Sequence, residues 1–260
     1  MQGGCRMAGL QFASGKEHTV TRSRAARKVF TVVGLVAILA MVLLSSGVRP
    51  ALADDTQDAK QLVDKAKLTF EAFLADKDMG PPLLDILKRA KGVLIYPQVL
   101  RGAFIFGVSG GSGVMLAHDA TAGAWGGPAF YTIGEVSFGL QIGGDASEVV
   151  LVALTDRGVT ALLATSAKLG ANVGVAAGPV GAGATAATAN LSADILSYAR
   201  AKGLYAGVSL EGAVVATRDL MNQAYYGFNV TPRDILIERK VSNPQAADLI
   251  NAVNAAVTGK

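Results

Sequence analysis

From residue 136 to residue 143 the side chains alternate without a break. Val136, Phe138, Leu140 and Ile142 are apolar, while Ser137, Gly139, Gln141 and Gly143 between them are small or polar. A period of two belongs to an extended strand with one buried face; a helix cannot use it. The same period returns over 169–177, where Ala171, Val173, Val175 and Ala177 alternate with Gly170, Asn172, Gly174, Ala176 and Gly178. The spacing of Gly170, Gly174 and Gly178 also matches a membrane-helix packing pattern. The β-branched neighbours favour a strand whose bare side lets something approach closely.

The surrounding chain supports a β body. Residues 93–96 read as a short strand stopped by Pro97, and 102–116 as a strand carrying many glycines. Residues 148–154 form a buried apolar run that ends in a turn at Asp156, Arg157 and Gly158. Residues 159–164 fit either a helical turn or irregular chain. Residues 181–190 are a low-complexity Ala/Gly/Thr stretch, a loop or a loose strand. Residues 194–198 and 204–215 read as two strands joined by a turn at 201–203. Glycine is unusually frequent: residues 54–260 contain 25, about 12%, against roughly 7% in an average protein.

Helices are expected on both sides of this body. Over 58–76, Leu62, Ala66, Phe70, Phe73 and Leu74 fall on one helical face and lysines and acids occupy the rest. Pro81 and Pro82 open a second helix over 83–90, with Gly92 as its C-terminal glycine. Residues 218–225 are helical in pattern. Thr231 and Asn243 each stand as a capping side chain before a proline. The last helix, 245–257, buries Leu249, Ile250, Val253 and Val257. The expected fold class is α+β: a glycine-rich antiparallel β-sheet body, sandwich- or barrel-like, with amphipathic helices at the N- and C-terminal ends.

The first 53 residues stand apart. Arg22, Arg24, Arg27 and Lys28 precede the uncharged run 29–44, and Ala51-Leu52-Ala53 closes the segment. Basic head, apolar middle and small-x-small end make a secretory signal. Cleavage after Ala53 is expected, placing the chain in the periplasm or cell envelope. The alternative is an uncleaved anchor, since 29–48 is just long enough to span a bilayer. Residues 54–260 are then a single domain.

Removing the leader reverses the charge argument. The whole chain carries +4, but residues 54–260 hold 17 Lys and Arg against 19 Asp and Glu, a net −2. The basic balance belongs to the leader and gives no reason to expect nucleic-acid binding. Cys5 is the chain's cysteine and lies in the leader, so disulfides and thiol chemistry are excluded beyond it. His118 is the one histidine after residue 53. It cannot build a histidine–cysteine metal cluster, and neither metal nor cofactor is expected.

Residues 107–111 fit the G-x-S-x-G pattern of a hydrolase elbow around Ser109. That elbow needs a helix to follow and a histidine base. Here Gly110, Gly111, Ser112 and Gly113 follow, and His118 lies nine residues on, where a hairpin could bring it back. A phosphate loop needs Lys-Ser/Thr after its last glycine, and the chain continues Val114-Met115-Leu116. Glu135, Asp145, Glu148 and Glu211 are carboxylates in β context with no evident pairing. Basic residues are more suggestive. Lys60, Lys65 and Lys67 edge the first helix, Lys88, Arg89 and Lys91 end the second, and Arg101 follows. An apolar stripe with Phe70 and Phe73 flanked by lysines suits a membrane interface; it equally suits a helix packed on the β body.

Several stretches resemble the SYLF domain. They are 90–97 (AKGVLIYP), 102–113 (GAFIFGVSGGSG), 175–181 (VAAGPVG), 195–212 (ILSYARAKGLYAGVSLEG) and Tyr225-Tyr226-Gly227. The resemblance covers about residues 58–258. It implies a non-enzymatic lipid-binding domain: eukaryotic members bind phosphoinositides, fungal ones also bind actin, and bacterial ones are secreted or envelope proteins. It places lipid contact on a basic amphipathic N-terminal helix, here 58–76. Asp58, Asp64, Glu71 and Asp76 dilute that helix's positive field, which favours general anionic-lipid affinity. The expected lipid-binding residues are Lys60, Lys65, Lys67, Phe70, Phe73, Lys88, Arg89, Lys91 and Arg101. The partners are membrane lipids, with no catalytic residue. The alternatives are an envelope interaction protein with an acyl-chain or partner groove and, more remotely, a Ser109 hydrolase.

Overall fold

The computed structural model describes residues 52–103, 106–138, 143–181, 192–201, 204–207 and 210–259, all within one compact unit, Pro50–Lys260. Residues 1–51 of the leader, the 182–191 stretch, residues 139–142 of the alternation and 202–203 of the expected turn lie outside the described residues. Two helices come first, α1 (Leu52–Ala75) and α2 (Gly80–Leu87). Four long strands follow: β1 (Gly92–Ala103), β2 (Phe106–Asp119), β3 (Ala124–Phe138) and β4 (Gly143–Ala153). Next come α3 (Asp156–Leu162), β5 (Ser166–Lys168), β6 (Val175–Ala177), β7 (Ile195–Ala201), β8 (Leu204–Gly207) and β9 (Val214–Thr217). The chain then runs through α4 (Asp219–Tyr226), α5 (Pro232–Leu236), a 3-10 turn (Pro244–Ala246) and α6 (Ala247–Thr258).

These strands make one sheet in the order β5-β9-β3-β2-β1-β4-β7-β6, with β8 also on β7. Pairing is antiparallel except between β6 and β7; β6 takes the first half of that edge of β7 and β8 the second. Residues of β3, β2, β1, β4 and β7 line a single hollow of about 160 Å³ on one face. Strands laid flat about 4.8 Å apart could not converge so. The sheet is therefore curled into a half-barrel, an open form of the expected β body, and the fold is α+β.

Both faces are buried at mid-strand. Val93, Leu94, Ile95 and Tyr96 are all 0% exposed, which is why this run is continuously apolar rather than alternating. Val93, Ile95, Val114, Leu116, Phe130 and Val150 face the convex side, under Val63, Ala66, Phe70 and Phe73 of α1. Leu94, Tyr96, Met115, Tyr131 and Leu151 face the concave side, closed by Val159 and Leu162 of α3 and by Ile235 and Leu236 of α5. The stripe on α1 and the Leu249–Val253 face of α6 are the ones the helical period indicates. The capping at Thr231 is also as expected: its hydroxyl accepts from the Asp234 amide at 3.2 Å.

Five local expectations are corrected. Pro97 does not end a strand; β1 runs through it as a bulge, with register shifts against both β2 and β4. A bulge leaves one residue out of the ladder, so the missing proline N–H is not needed. Gly92 is not a helix cap but the first residue of β1; α2 already ends at Leu87, and the Arg89 and Ala90 amides donate back to Ile86 and Leu87. Asp156, Arg157 and Gly158 do not merely turn the chain after the strand but form the first turn of α3, because Thr155 caps it, accepting from the Gly158 amide at 3.0 Å. Of 169–177 only Val175–Ala177 is strand, since Gly170 turns the chain at φ 81°. The expected strand 204–215 is likewise divided into β8 and β9, with a turn at Gly212 (φ 92°).

Asp194 locks the α3 corner. Its carboxylate, 7% exposed, accepts from the Thr155 hydroxyl at 2.6 Å and the Gly174 amide at 3.0 Å, and Arg157 lies 3.7 Å away. The Thr155 hydroxyl, the Gly174 amide and the Arg157 charge hold this carboxyl below the ordinary aspartate range. The folded state is thus the more acidic one. Its contribution is complete above the unfolded value of about 3.9 and drains away as pH falls through the lower folded value. Asp194→Asn is expected to lower the melting temperature at neutral pH and to lessen the drop between pH 7 and pH 3. Melts at the two pH values check this; equal drops in both proteins would contradict it.

Candidate functional site

The bulge at Pro97 opens a cleft on the convex side. On β1 the pair Pro97–Gln98 stands opposite the single residue Glu148 of β4, because pairing jumps from Tyr96↔Val149 to Val99↔Ser147. α1 passes over this gap. Its buried stripe fixes its rotation, and the 3.6-residue period then turns Lys65, Leu68 and Thr69 to one flank. Together Lys65, Leu68, Thr69, Pro97, Gln98, Glu148 and Arg200 line a cleft of about 540 Å³. Glu148 and Arg200 are direct partners in the β4–β7 register, and their charged ends form a close ion pair. The Thr69 hydroxyl donates to the other Glu148 oxygen at 3.4 Å. Lys65 is exposed and forms no ion pair among the described residues. The cleft offers one unpaired cation, one Arg held by a carboxylate, hydroxyl and amide groups, and an apolar lip at Leu68, which is 64% exposed. That set accepts an anionic, hydrogen-bonding head attached to something apolar.

The residues expected to bind lipid do not converge. Lys65 reaches the cleft. Lys60 and Lys67 lie on the opposite flank of α1, where Lys67 pairs with Glu71 at 3.5 Å and the Lys60 carbonyl accepts from Gln245 at 3.2 Å. Phe70 and Phe73 are 0% exposed and belong to the core under α1. In this structure neither can touch a membrane. Lys88 pairs with Asp85 at 2.9 Å and Lys91 with Asp156 at 2.5 Å, and Arg89 stands exposed at the end of α2. Arg101 points to the other face of the sheet, 3.7 Å from Glu135. The sequence reading missed Thr69, Gln98 and Arg200 and saw Glu148 only as an unpaired carboxylate. The pairing of Glu148 with Arg200 spans 52 positions, beyond any local spacing rule.

The concave hollow holds the elbow-like serine. One row of the sheet runs Glu135, Ser109, Arg101, Asp145 across β3, β2, β1 and β4. Ser109 and His118 both lie within β2; nine residues of strand separate them by about 30 Å. No proton can pass between them, and strand, not helix, follows Ser109. His118 rests on Trp125 instead, ring centres 5.3 Å apart. The described residues contain no cluster of three or more His, Cys, Asp or Glu fit for a metal, and none of their helices is long and apolar enough to cross a membrane.

Fold and cleft define an α+β half-barrel module whose surface cleft brings cationic, hydroxyl, amide and apolar groups together. The chain belongs to the SYLF, or Ysc84-type, family. Residues 134–256, from β3 to α6, match the family model described as Ysc84, Las17-binding protein actin regulator. Protein YSC84 of Saccharomyces cerevisiae is 34% identical over 203 residues, 76% of this chain and 42% of the yeast protein. LAS seventeen-binding protein 3 of the same yeast is 33% identical over 202 residues, 76% of this chain and 43% of its own length. SH3 domain-containing YSC84-like protein 1 of Homo sapiens is 32% identical over 172 residues, 65% of this chain and 50% of the human protein. The chain thus spans half or less of the length of these relatives. LAS seventeen-binding protein 3 is named for binding and the family model for actin regulation; none of these names is that of an enzyme.

Proposed function

We propose that this chain is a non-enzymatic module that binds anionic phospholipid or phosphoinositide-like head groups, with the head in the cleft between α1 and the bulge of β1. The observation that carries the reading is the placement of unpaired Lys65 beside Arg200, above the hydrogen-bonding groups of Thr69 and Gln98, with exposed Leu68 at the lip. An anion entering there competes with Glu148 for Arg200 and adds Lys65. Each such cation is worth about 1 kcal/mol at an anionic surface. The groove alternative could use the 160 Å³ concave hollow or a pocket of about 340 Å³ between His118, α3 and α5, both smaller than the cleft. The Ser109 hydrolase lacks its base, as β2 holds His118 far away.

The basic head and apolar run of residues 22–44 support an exported protein of the periplasm or cell envelope, cut near Ala53. Mass spectrometry of the native N-terminus tests that part separately. The lipid reading is tested by co-sedimentation of the full chain with phosphatidylcholine vesicles, with and without phosphatidylserine. Binding is expected to need the anionic lipid and to weaken with salt. Lys65→Glu is expected to reduce it about tenfold or more, since it reverses one contact and repels. Wild-type protein left in the supernatant in both cases would end this reading.

A further inference from the structure

Below α1 the strands run on past the helices, and their convex face is bare. Register lays six residues side by side: Lys168 of β5, Val214 of β9, Gly134 of β3, Gly110 of β2, Leu100 of β1 and Ala146 of β4. Directly opposed residues share a face. The next row toward α1 is short and polar: Ser166, Ala216, Thr132, Ser112 and Gln98. On the far side Val108 stands opposite Gly102. Leu100 is 56% exposed, Val108 58% and Val214 40%. The first row ends beside the cleft, where Leu68 is also exposed.

The glycines here have no packing reason. A Cβ at Gly102 would meet nothing within 4 Å, and at Gly110 or Gly134 only a carbonyl oxygen at 3.6 or 3.8 Å. Two positions along the same strand the opposite holds: a Cβ at Gly111 or Gly113 would strike a β1 carbonyl at 2.3 or 2.5 Å. The concave-side glycines are demanded by the fold. The convex-side ones weaken a strand and leave its backbone open to close approach from outside.

Charge says what approaches. These rows carry no acidic side chain among the described residues, and Lys168 stands at one end. Lys65 stands at the other, beside Arg200, whose partner Glu148 is the neighbouring acid of the cleft. A second copy would bring lysine against lysine and convex face against convex face, which buries little area. An anionic bilayer meets both features: an apolar apex enters the interface while cations at its rim sit at head-group level.

We infer that the convex outer face of the sheet, with Leu100, Val108 and Val214 as its apolar apex and Lys168 and Lys65 at its rim, is the surface that seats on an anionic lipid bilayer. This rests on the lipid reading above and replaces the apolar stripe of α1 as the inserting element.

The test uses the full chain and vesicles of phosphatidylcholine mixed with phosphatidylserine. Leu100→Asp with Val108→Asp is expected to weaken binding about a hundredfold, roughly tenfold for each side chain. Gly110→Glu, which has open space for its side chain, is expected to weaken it as well and to melt like the wild type, so a poorly folding double variant does not block the answer. Wild-type binding that survives both changes within about twofold overturns the inference, while leaving the lipid reading intact if Lys65→Glu still weakens it. No wild-type binding at all removes the lipid reading itself. A wild-type dimer in sedimentation equilibrium that these changes dissociate, with vesicle binding unaltered, assigns the face to a second copy and also overturns the inference.

Discussion

Gly113→Val is expected to destabilise the protein by at least about 3 kcal/mol, near the upper end of what overpacking costs. A Cβ at this position would stand 2.5 Å from the Ile95 carbonyl oxygen and 2.5 and 2.8 Å from atoms of the Tyr96 ring. Tyr96 and Ile95 are 0% exposed, so neither can retreat without opening the β1–β2 ladder next to the bulge. For a unit of this size the melting temperature should fall by roughly 6–12 °C. The control lies three residues earlier. Gly110→Val meets no close atom on the convex face and should leave the melting temperature unchanged or slightly higher, because valine suits a strand better than glycine. Thermal melts of the two variants decide the matter. Equal effects would mean that the glycines of β2 are not sorted by face.

Phe70→Ala is expected to cost about 3–5 kcal/mol, the usual range for emptying a buried phenylalanine site. Phe70 lies between α1 and the convex face with Val63, Ala66 and Phe73, all at or near zero exposure. Its loss should show in denaturant unfolding as a lower midpoint with an unchanged slope. Vesicle affinity, measured well below the variant's melting temperature, should stay within about twofold of wild type. A helix that peeled off the sheet to insert its apolar stripe would behave in the opposite way. Its affinity would collapse with the phenyl ring while its stability in the absence of lipid changed by the same amount. The pair of measurements therefore separates a docked α1, which lends only Lys65 and Leu68 to the surface, from a released one.

Much of the architecture is readable from short windows of sequence. The spacing of Ala66, Phe70 and Phe73 sets the rotation of α1, and Thr231 with Asp234 sets the start of α5. The all-apolar run at Val93–Tyr96 belongs to a strand buried on both faces. The family is legible from the glycine-rich stretches of β2 and the region after β6. The candidate site is much less so. Lys65 was in view, but nothing near it in the chain indicates Gln98, Glu148 or Arg200. Those residues meet only because β1 bulges at Pro97 and β4 pairs with β7 in one register. The basic residues that look most alike in sequence are spread over both flanks of α1, the end of α2 and the opposite face of the sheet.

Sequence alone therefore determined where most of the helices and strands lie, which side chains seek the interior, and the family to which they belong. Those properties repeat every two or four residues and are settled by neighbours along the chain. The tertiary structure alone decided which glycines are indispensable, which phenylalanines are withheld from the surface, and where apolar and cationic groups stand together in the open. Each of these depends on strand register and on the curl of the sheet, and pairings across tens of residues leave no mark in a local pattern.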